Sequence, residues 1–235
     1  MSILSCENIS LKLGGRDILN NVSFAVENAQ VLGLVGPNGA GKTSLFEVLC
    51  GNYIPHSGSV LLDGQSLDLK SFHDRAKLGL ARTYQTPVVP NSLNLEDVFL
   101  ASRYAYKPHL SRHIAEWATS MVNLEIEWNT PTAALDTFNR RKLLMACLLM
   151  RKPKVLLMDE PASGLINTEI DELDLILRKI TDELGIAILL IEHRLELVSA
   201  IANKVTVLDL GKIIATDHSD KIFENKVVKE AYFGT

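Results

Sequence analysis

The stretch VLGLVGPNGAGKTS, residues 31–44, decides how this chain folds. Its first five residues form an apolar run that reads as a short buried strand, and Lys42–Leu49 reads as a helix closed by Gly51. Between them, Gly36–Thr43 matches G-x-x-x-x-G-K-[ST] in full. The glycines allow a tight winding in which successive backbone N–H groups face phosphate oxygens, and the following helix adds its positive end. Lys42 would reach the β- and γ-phosphates of a nucleotide, and the Thr43 hydroxyl would ligate Mg²⁺. The predicted nucleotide-binding residues are therefore Gly36, Pro37, Asn38, Gly39, Ala40, Gly41, Lys42, Thr43 and Ser44.

A second motif, VLLMDEP at 155–161, ends an apolar run in two carboxylates. A strand here would bring Asp159 beside the Mg²⁺, with Glu160 placed to orient or deprotonate an attacking water. Around these motifs the pattern alternates. ILSCENISLKL (3–13), VSFAVENAQ (22–30) and SGSVLLDG (57–64) read as strands, as does IAILLI (186–191). Leu173, Ile176, Leu177, Ile180 and Leu184 stripe a helix, and VTVLDLGKII (205–214) reads as a hairpin closed near Gly211. Residues from about 88 to 150 are helical in character. They include a helix over Ser111–Val122, with Ser111 as N-cap, and a helix through LLMACLLM (143–150) capped by Asp136. Strand–helix–strand alternation around a phosphate loop predicts an α/β core with parallel strands, into which the helical stretch of about 88–150 is inserted.

Composition bounds the function. The 235 residues carry 24 Lys and Arg against 28 Asp and Glu, a net charge of −4, which argues against a dominant nucleic-acid surface. Cys6, Cys50 and Cys147 are scattered without metal or disulfide spacing, which fits a reducing compartment. The opening MSILSCENISLKLGG lacks the basic and long apolar regions of a signal peptide. The runs LLMACLLM and IAILLI fall far short of the roughly 20 residues of a membrane span. A cytosolic chain is expected, reaching a membrane only through a partner.

With both motifs in hand, the chain resembles the ATP-binding subunits of ABC transporters almost end to end, which implies a single α/β domain, 1–235: a RecA-like P-loop NTPase core with an antiparallel β subdomain and an inserted α-helical subdomain at about 88–150. Gln85 in RTYQTP stands where that family has its Q-loop glutamine, and His193 in LLIEHR where it has its switch histidine. The resemblance implies that Gln85 senses Mg²⁺ and water and couples to the membrane subunit, and that His193 contacts the γ-phosphate. GLARTYQTPVVPNSLNLEDVFLA, IEHRLELV and the terminal EAYFG are similar to stretches in ATPase subunits of bacterial importers for branched-chain amino acids and related polar substrates. The lipopolysaccharide-transport ATPase shares some of them. The implied substrate is ATP with Mg²⁺, hydrolysed to drive transport. The implied partners are transmembrane permease subunits and a second ABC ATPase subunit, with no nucleic acid. The implied location is the cytoplasmic face of the cell membrane.

Three departures qualify the resemblance. Where the family signature reads LSGGQ, this chain has Leu135-Asp136-Thr137-Phe138-Asn139. Asp136 would set a carboxylate against the phosphates of a partner's nucleotide, and Phe138 would fill space the backbone needs to approach them. Two anions about 4 Å apart repel by about 1 kcal/mol in water and by several times that in a drier interface. The D-loop aspartate is replaced by Ile166 in Ser163-Gly164-Leu165-Ile166, and the adenine-stacking aromatic by Leu13. Leu13 would still pack on the base while forfeiting roughly 1–3 kcal/mol of stacking. Two rivals stand beside a transport ATPase of low activity alone: a catalytically inert regulatory subunit, and a P-loop small-molecule kinase.

Overall fold

The computed structural model describes residues 2–105, 107–193 and 195–233. Arg194 and Gly234, in two of the stretches quoted for the resemblance, lie outside them. The chain opens with β1 (Ser2–Leu13) and β2 (Arg16–Glu27), paired antiparallel. β2 begins at Arg16 rather than Val22 because its first residues are mostly exposed and carry no apolar alternation. β3 (Val31–Val35) runs through the phosphate loop into α1 (Lys42–Cys50), which Gly51 ends in the left-handed conformation. β4 (Ser57–Leu62) and β5 (Gln65–Ser66) complete a four-stranded antiparallel sheet in the order β2-β1-β4-β5.

Two elements carry no apolar pattern in the sequence. α2 (Phe72–Leu78) is capped by the Ser71 hydroxyl, and β6 (Leu80–Arg82) is a buried strand of three residues, too short for periodicity. Three helices follow: α3 (Leu95–Tyr104), α4 (Arg112–Met121) and α5 (Thr137–Leu149). α3 starts with a reciprocal cap between Asn94 and Asp97. Ser111 occupies the N-cap position of α4, but its hydroxyl makes no capping bond. β7 (Val155–Asp159), α6 (Asn167–Leu184), β8 (Ala187–Ile191), α7 (Leu195–Ile201), β9 (Lys204–Asp209), β10 (Lys212–His218) and α8 (Lys226–Phe233) complete the chain. The second sheet has the order β10-β9-β3-β8-β7-β6, parallel except for β10. The helices α3–α5 thus lie in chain between two neighbouring parallel strands, β6 and β7.

Apolar residues on both faces of the parallel sheet explain its unbroken hydrophobic runs. Leu32, Leu34, Leu157 and Leu189 face one core, shared with α1 and the antiparallel sheet. Val31, Val35, Leu156 and Ile188 face the other, shared with α4–α7. The described residues include no helix long and apolar enough to cross a membrane. Cys6 and Cys50 are buried and free, and burial pushes their thiols up to about 12 and about 11, so neither is a poised nucleophile.

The start of α5 corrects one expectation and sharpens another. Asp136 caps the helix: its carboxylate accepts from the backbone N–H of Asn139 at 2.7 Å and from Asn139 Nδ2 at 2.8 Å. Phe138 does not fill the space in front of the helix. It turns into the core at 4% exposure, with the Lys142 ammonium 4.6 Å from its ring. The second residue of a helix is carried round by the 100° turn per residue, and here that turn points the ring inward. Removing it would cost about 3–5 kcal/mol of packing rather than open a path to phosphate.

Asp136→Ala is expected to lower unfolding stability by about 1 kcal/mol, and Asp136→Ser by much less, because serine also caps. Equilibrium urea unfolding of the two variants checks this. Equal midpoints would show that the cap does not hold α5.

Candidate nucleotide site

The phosphate loop is wound by close approach and by open space at different glycines. A Cβ on Gly36 would sit 2.0 Å from the carbonyl oxygen of Leu208 on β9, so only glycine lets the loop leave β3 here. Gly39, at φ +82°, has nothing within 4 Å of where a Cβ would be, and its backbone opens to a cleft. That cleft, of about 360 Å³, is lined by Ile18, residues 38–44, Glu160, Ile191 and His193. Lys42 Nζ turns back onto the loop, donating to the carbonyls of Gly36 at 2.7 Å and Pro37 at 3.0 Å. Burial lowers its pKa from the ordinary lysine value, and the nearby carboxylates of Glu160 and Asp159 oppose that shift. An ammonium whose hydrogen-bond partners among the described residues are two neutral carbonyls can exchange them for phosphate oxygens at little cost.

Opposite the loop, Glu160 is held from both sides. Gln85 Nε2 donates to one carboxylate oxygen at 2.6 Å, and His193 Nε2 makes a short contact with the other. Glu160 has φ +47°, in the left-handed region, which costs a non-glycine residue of order 1–3 kcal/mol. Its N–H donating to Ile191 and its carbonyl accepting from Ser163 hold that conformation. The parallel pairing Asp159↔Ile191 sets the ends of β7 and β8 side by side, which brings Glu160 and His193 together.

Asp159, at the end of β7, is mostly shielded from solvent, and burial raises its pKa; the guanidinium of Arg82 at 3.5 Å opposes that rise. Arg82 was not among the predicted site residues. Its side chain is 2% exposed, donates to Glu47 of α1 at 2.7 Å and lies 4.7 Å from the Tyr84 ring. It therefore joins the phosphate-loop helix, the strand bearing Asp159 and the start of the Q-loop. Its only sequence signal was a cation closing the apolar pair Leu80-Ala81. Tyr232 of α8 was also missed: burial pushes its phenol up to about 12, and a backbone hydrogen bond from Gly36 opposes the shift. The donors of Asp159, Thr43 and Gln85 are all oxygens, the set that suits a hard cation such as Mg²⁺.

The structure brings Glu160, His193 and residues 38–44 to one cleft, with Asp159 beside Glu160 and Gln85 joined to it through Glu160; Gly36 and Pro37 stand behind the lining, where their carbonyls hold Lys42. Leu13 is not in the cleft wall. It packs half-buried on the core of the antiparallel sheet, and Ile18 lines the cleft instead. Ile166, at the position of the D-loop aspartate, is exposed, and its N–H donates to Glu169 at the start of α6.

Fold and site together define a P-loop ATPase cassette. A family model described as "ABC transporter" matches residues 19–163. Over 251 residues the chain is 33% identical to the high-affinity branched-chain amino acid transport ATP-binding protein BraF of Pseudomonas aeruginosa, covering 99% of this chain and 98% of that one. It is 27% identical over 237 residues to the lipopolysaccharide export system ATP-binding protein LptB of Haemophilus influenzae, covering 100% and 98%. The fold matches the ADP conformation of MJ1267, an ATP-binding cassette of an ABC transporter, with TM-score 0.90, 24% identity and full coverage of both chains. The chain belongs to the ABC transporter family and is an ATP-binding subunit of it, an ATP-hydrolysing cassette.

Lys42→Ala is expected to weaken MgATP binding by at least tenfold, since it removes the point charge facing the β- and γ-phosphates. Calorimetric titration checks this, and parent-like affinity would refute the assignment of the loop.

Proposed function

We propose that this chain is one of two ATPase subunits in a bacterial importer of branched-chain amino acids or related small polar substrates. The higher identity to BraF, 33% against 27% to LptB at the same near-complete coverage, supports that substrate class over lipopolysaccharide. The chain would sit on the cytoplasmic face of the membrane, attached through permease subunits. ATP would close the two cassettes face to face, and hydrolysis would reopen them, driving the permease between two access states.

The roles follow from the cleft. N–H groups of the loop within residues 38–43 and the N-terminus of α1 hold the phosphates, and Lys42 leaves the Gly36 and Pro37 carbonyls to join them. Thr43, Gln85 and Asp159 would hold Mg²⁺, which when bound supplies charge neutralisation at the β- and γ-phosphates. Glu160 orients the attacking water, and His193 and Gln85 fix the two oxygens of its carboxylate. A purely regulatory subunit would have no use for that arrangement.

The observation that carries the reading is an imbalance between the chain's two faces. Around its own phosphate loop the residues for gripping phosphate and orienting water are all kept, although the adenine-stacking aromatic is replaced by Leu13. At the α5 N-terminus, which would face a partner's nucleotide, the Asp136 carboxylate occupies the Asn139 N–H and answers the helix dipole. That end is poor at gripping a second anion. The partner is therefore a related subunit with an intact signature, and hydrolysis runs at this chain's phosphate loop.

In the assembled transporter, Glu160→Gln is expected to cut ATPase activity by at least a hundredfold, and the equivalent substitution in the partner by only a few-fold. Phosphate release from the two single-variant complexes measures both. Equal losses would replace the asymmetric reading with two equivalent sites.

A further inference from the structure

The loop that follows Glu160 is pinned by two buried ionic side chains that contact only its backbone. From α5, the Arg141 guanidinium donates to the carbonyls of Pro161 at 2.7 Å and Ser163 at 2.6 Å. The same guanidinium donates to the carbonyl of Gln85 at 3.3 Å. From the other side, the Glu192 carboxylate accepts from the Ala162 N–H at 2.8 Å and from the N–H of His193 at 3.2 Å. Both residues are buried, at 8% and 3% exposure. Among the described residues no carboxylate forms an ion pair with Arg141; its acceptors are all main-chain oxygens.

A guanidinium buried against neutral carbonyls is an expensive way to hold a helix, since an apolar side chain would pack there at lower cost. What the planar fork supplies is geometry: one rigid group joins two loops that share no secondary structure. Those loops carry Gln85 and Glu160, whose side chains meet at 2.6 Å. Arg141 also stands on α5, whose N-terminus carries Asp136 and the signature segment. A shift of α5 therefore moves the backbone of both loops, and the Glu192 bonds hold the far side of the junction to His193.

We propose that Arg141 is a positioning residue for ATP hydrolysis. It sets Glu160 against Gln85 and His193, and it transmits displacement of the signature helix to the group that orients water. The proposal rests on Glu160 having that role. Arg141 does not line the phosphate-loop cleft, so its loss should act on turnover and leave binding alone.

The test uses the assembled transporter, with Arg141→Met, Arg141→Lys and Glu160→Gln compared against one parent. Methionine keeps the apolar stem, and lysine keeps the charge without the fork. Arg141→Met is expected to lower kcat by about tenfold or more, with KM and the MgATP dissociation constant within about twofold, because small misplacements of reacting groups cost that much. Arg141→Lys is expected to lose about threefold in kcat, since one ammonium cannot join both loops as a fork does. Parent-like kcat in Arg141→Met overturns the proposal, and so does a parallel fall of kcat and MgATP affinity, the mark of general loosening. Should the methionine variant fail to assemble, the lysine variant decides: parent-like kcat overturns the proposal. If Glu160→Gln itself hydrolyses ATP at the parent rate, the role assigned to Glu160 fails first and takes this inference with it.

Discussion

Parallel pairing of β3, β8 and β7 forces their carboxyl ends onto one edge of the sheet, and the chemistry of the molecule stands on that edge. The phosphate loop leaves β3, His193 follows β8, and Asp159 and Glu160 end β7. The register Asp159↔Ile191 leaves no freedom to separate the carboxylate from the histidine by more than a side chain's reach. The same constraint requires glycine at 36, where the departing chain passes the Leu208 carbonyl of β9. A residue with a side chain there would push the loop off the sheet and the phosphate cradle with it.

Around that edge the buried charges are arranged in pairs of opposite consequence. Arg82 lies between Glu47 and Asp159, so the carboxylate that ends β7 shares a cation with the phosphate-loop helix. Replacing such a cluster by apolar residues often leaves stability unchanged or improved, so stability alone is a weak reason for its presence. Its geometry offers a better one: Arg82 ties α1, β7 and Tyr84 at the start of the Q-loop to one planar group. Deeper in, Lys142 anchors α5 to α6 through Glu172 at 2.5 Å, and Arg141 anchors it to the catalytic loops. Helix α5 is thus held to the core by cations on successive residues.

What was legible in the sequence was whatever a short apolar run or a complete motif could carry. The strands of the parallel sheet, buried on both faces, stood out as unbroken apolar runs, and the loop from Gly36 to Thr43 declared its use by spacing alone. α2 and β6 were not legible, because seven and three residues are too few to show a period. Arg82, Arg141 and Tyr232 were not legible as site residues for another reason. Their partners are main-chain atoms or side chains far away in sequence, and a lone cation or phenol gives no hint of which. Phe138 misled for a local reason: its place in a signature-like segment says nothing of which way a helix turn will point it.

The two ends of helices at this surface show how one residue redirects the same physics. The N-termini of α1 and α5 both present free N–H groups and a positive dipole end. At α1 the residue in the cap position is Gly41, which offers no side chain, so the donors remain for an anion from outside. At α5 the cap is Asp136, whose carboxylate takes the Asn139 N–H and, through its other oxygen, the Asn139 amide. The chain's own anion therefore stands where a foreign one would dock. Stability of α5 and affinity for a phosphate draw on the same donors, and here they have gone to stability. A helix so capped keeps its place in the fold and, through Arg141, its hold on the loops beside Glu160, and under the proposed function it would give up its grip on a neighbour's nucleotide. That division is what the proposed pairing with an unlike partner, rather than with a copy of this chain, would call for.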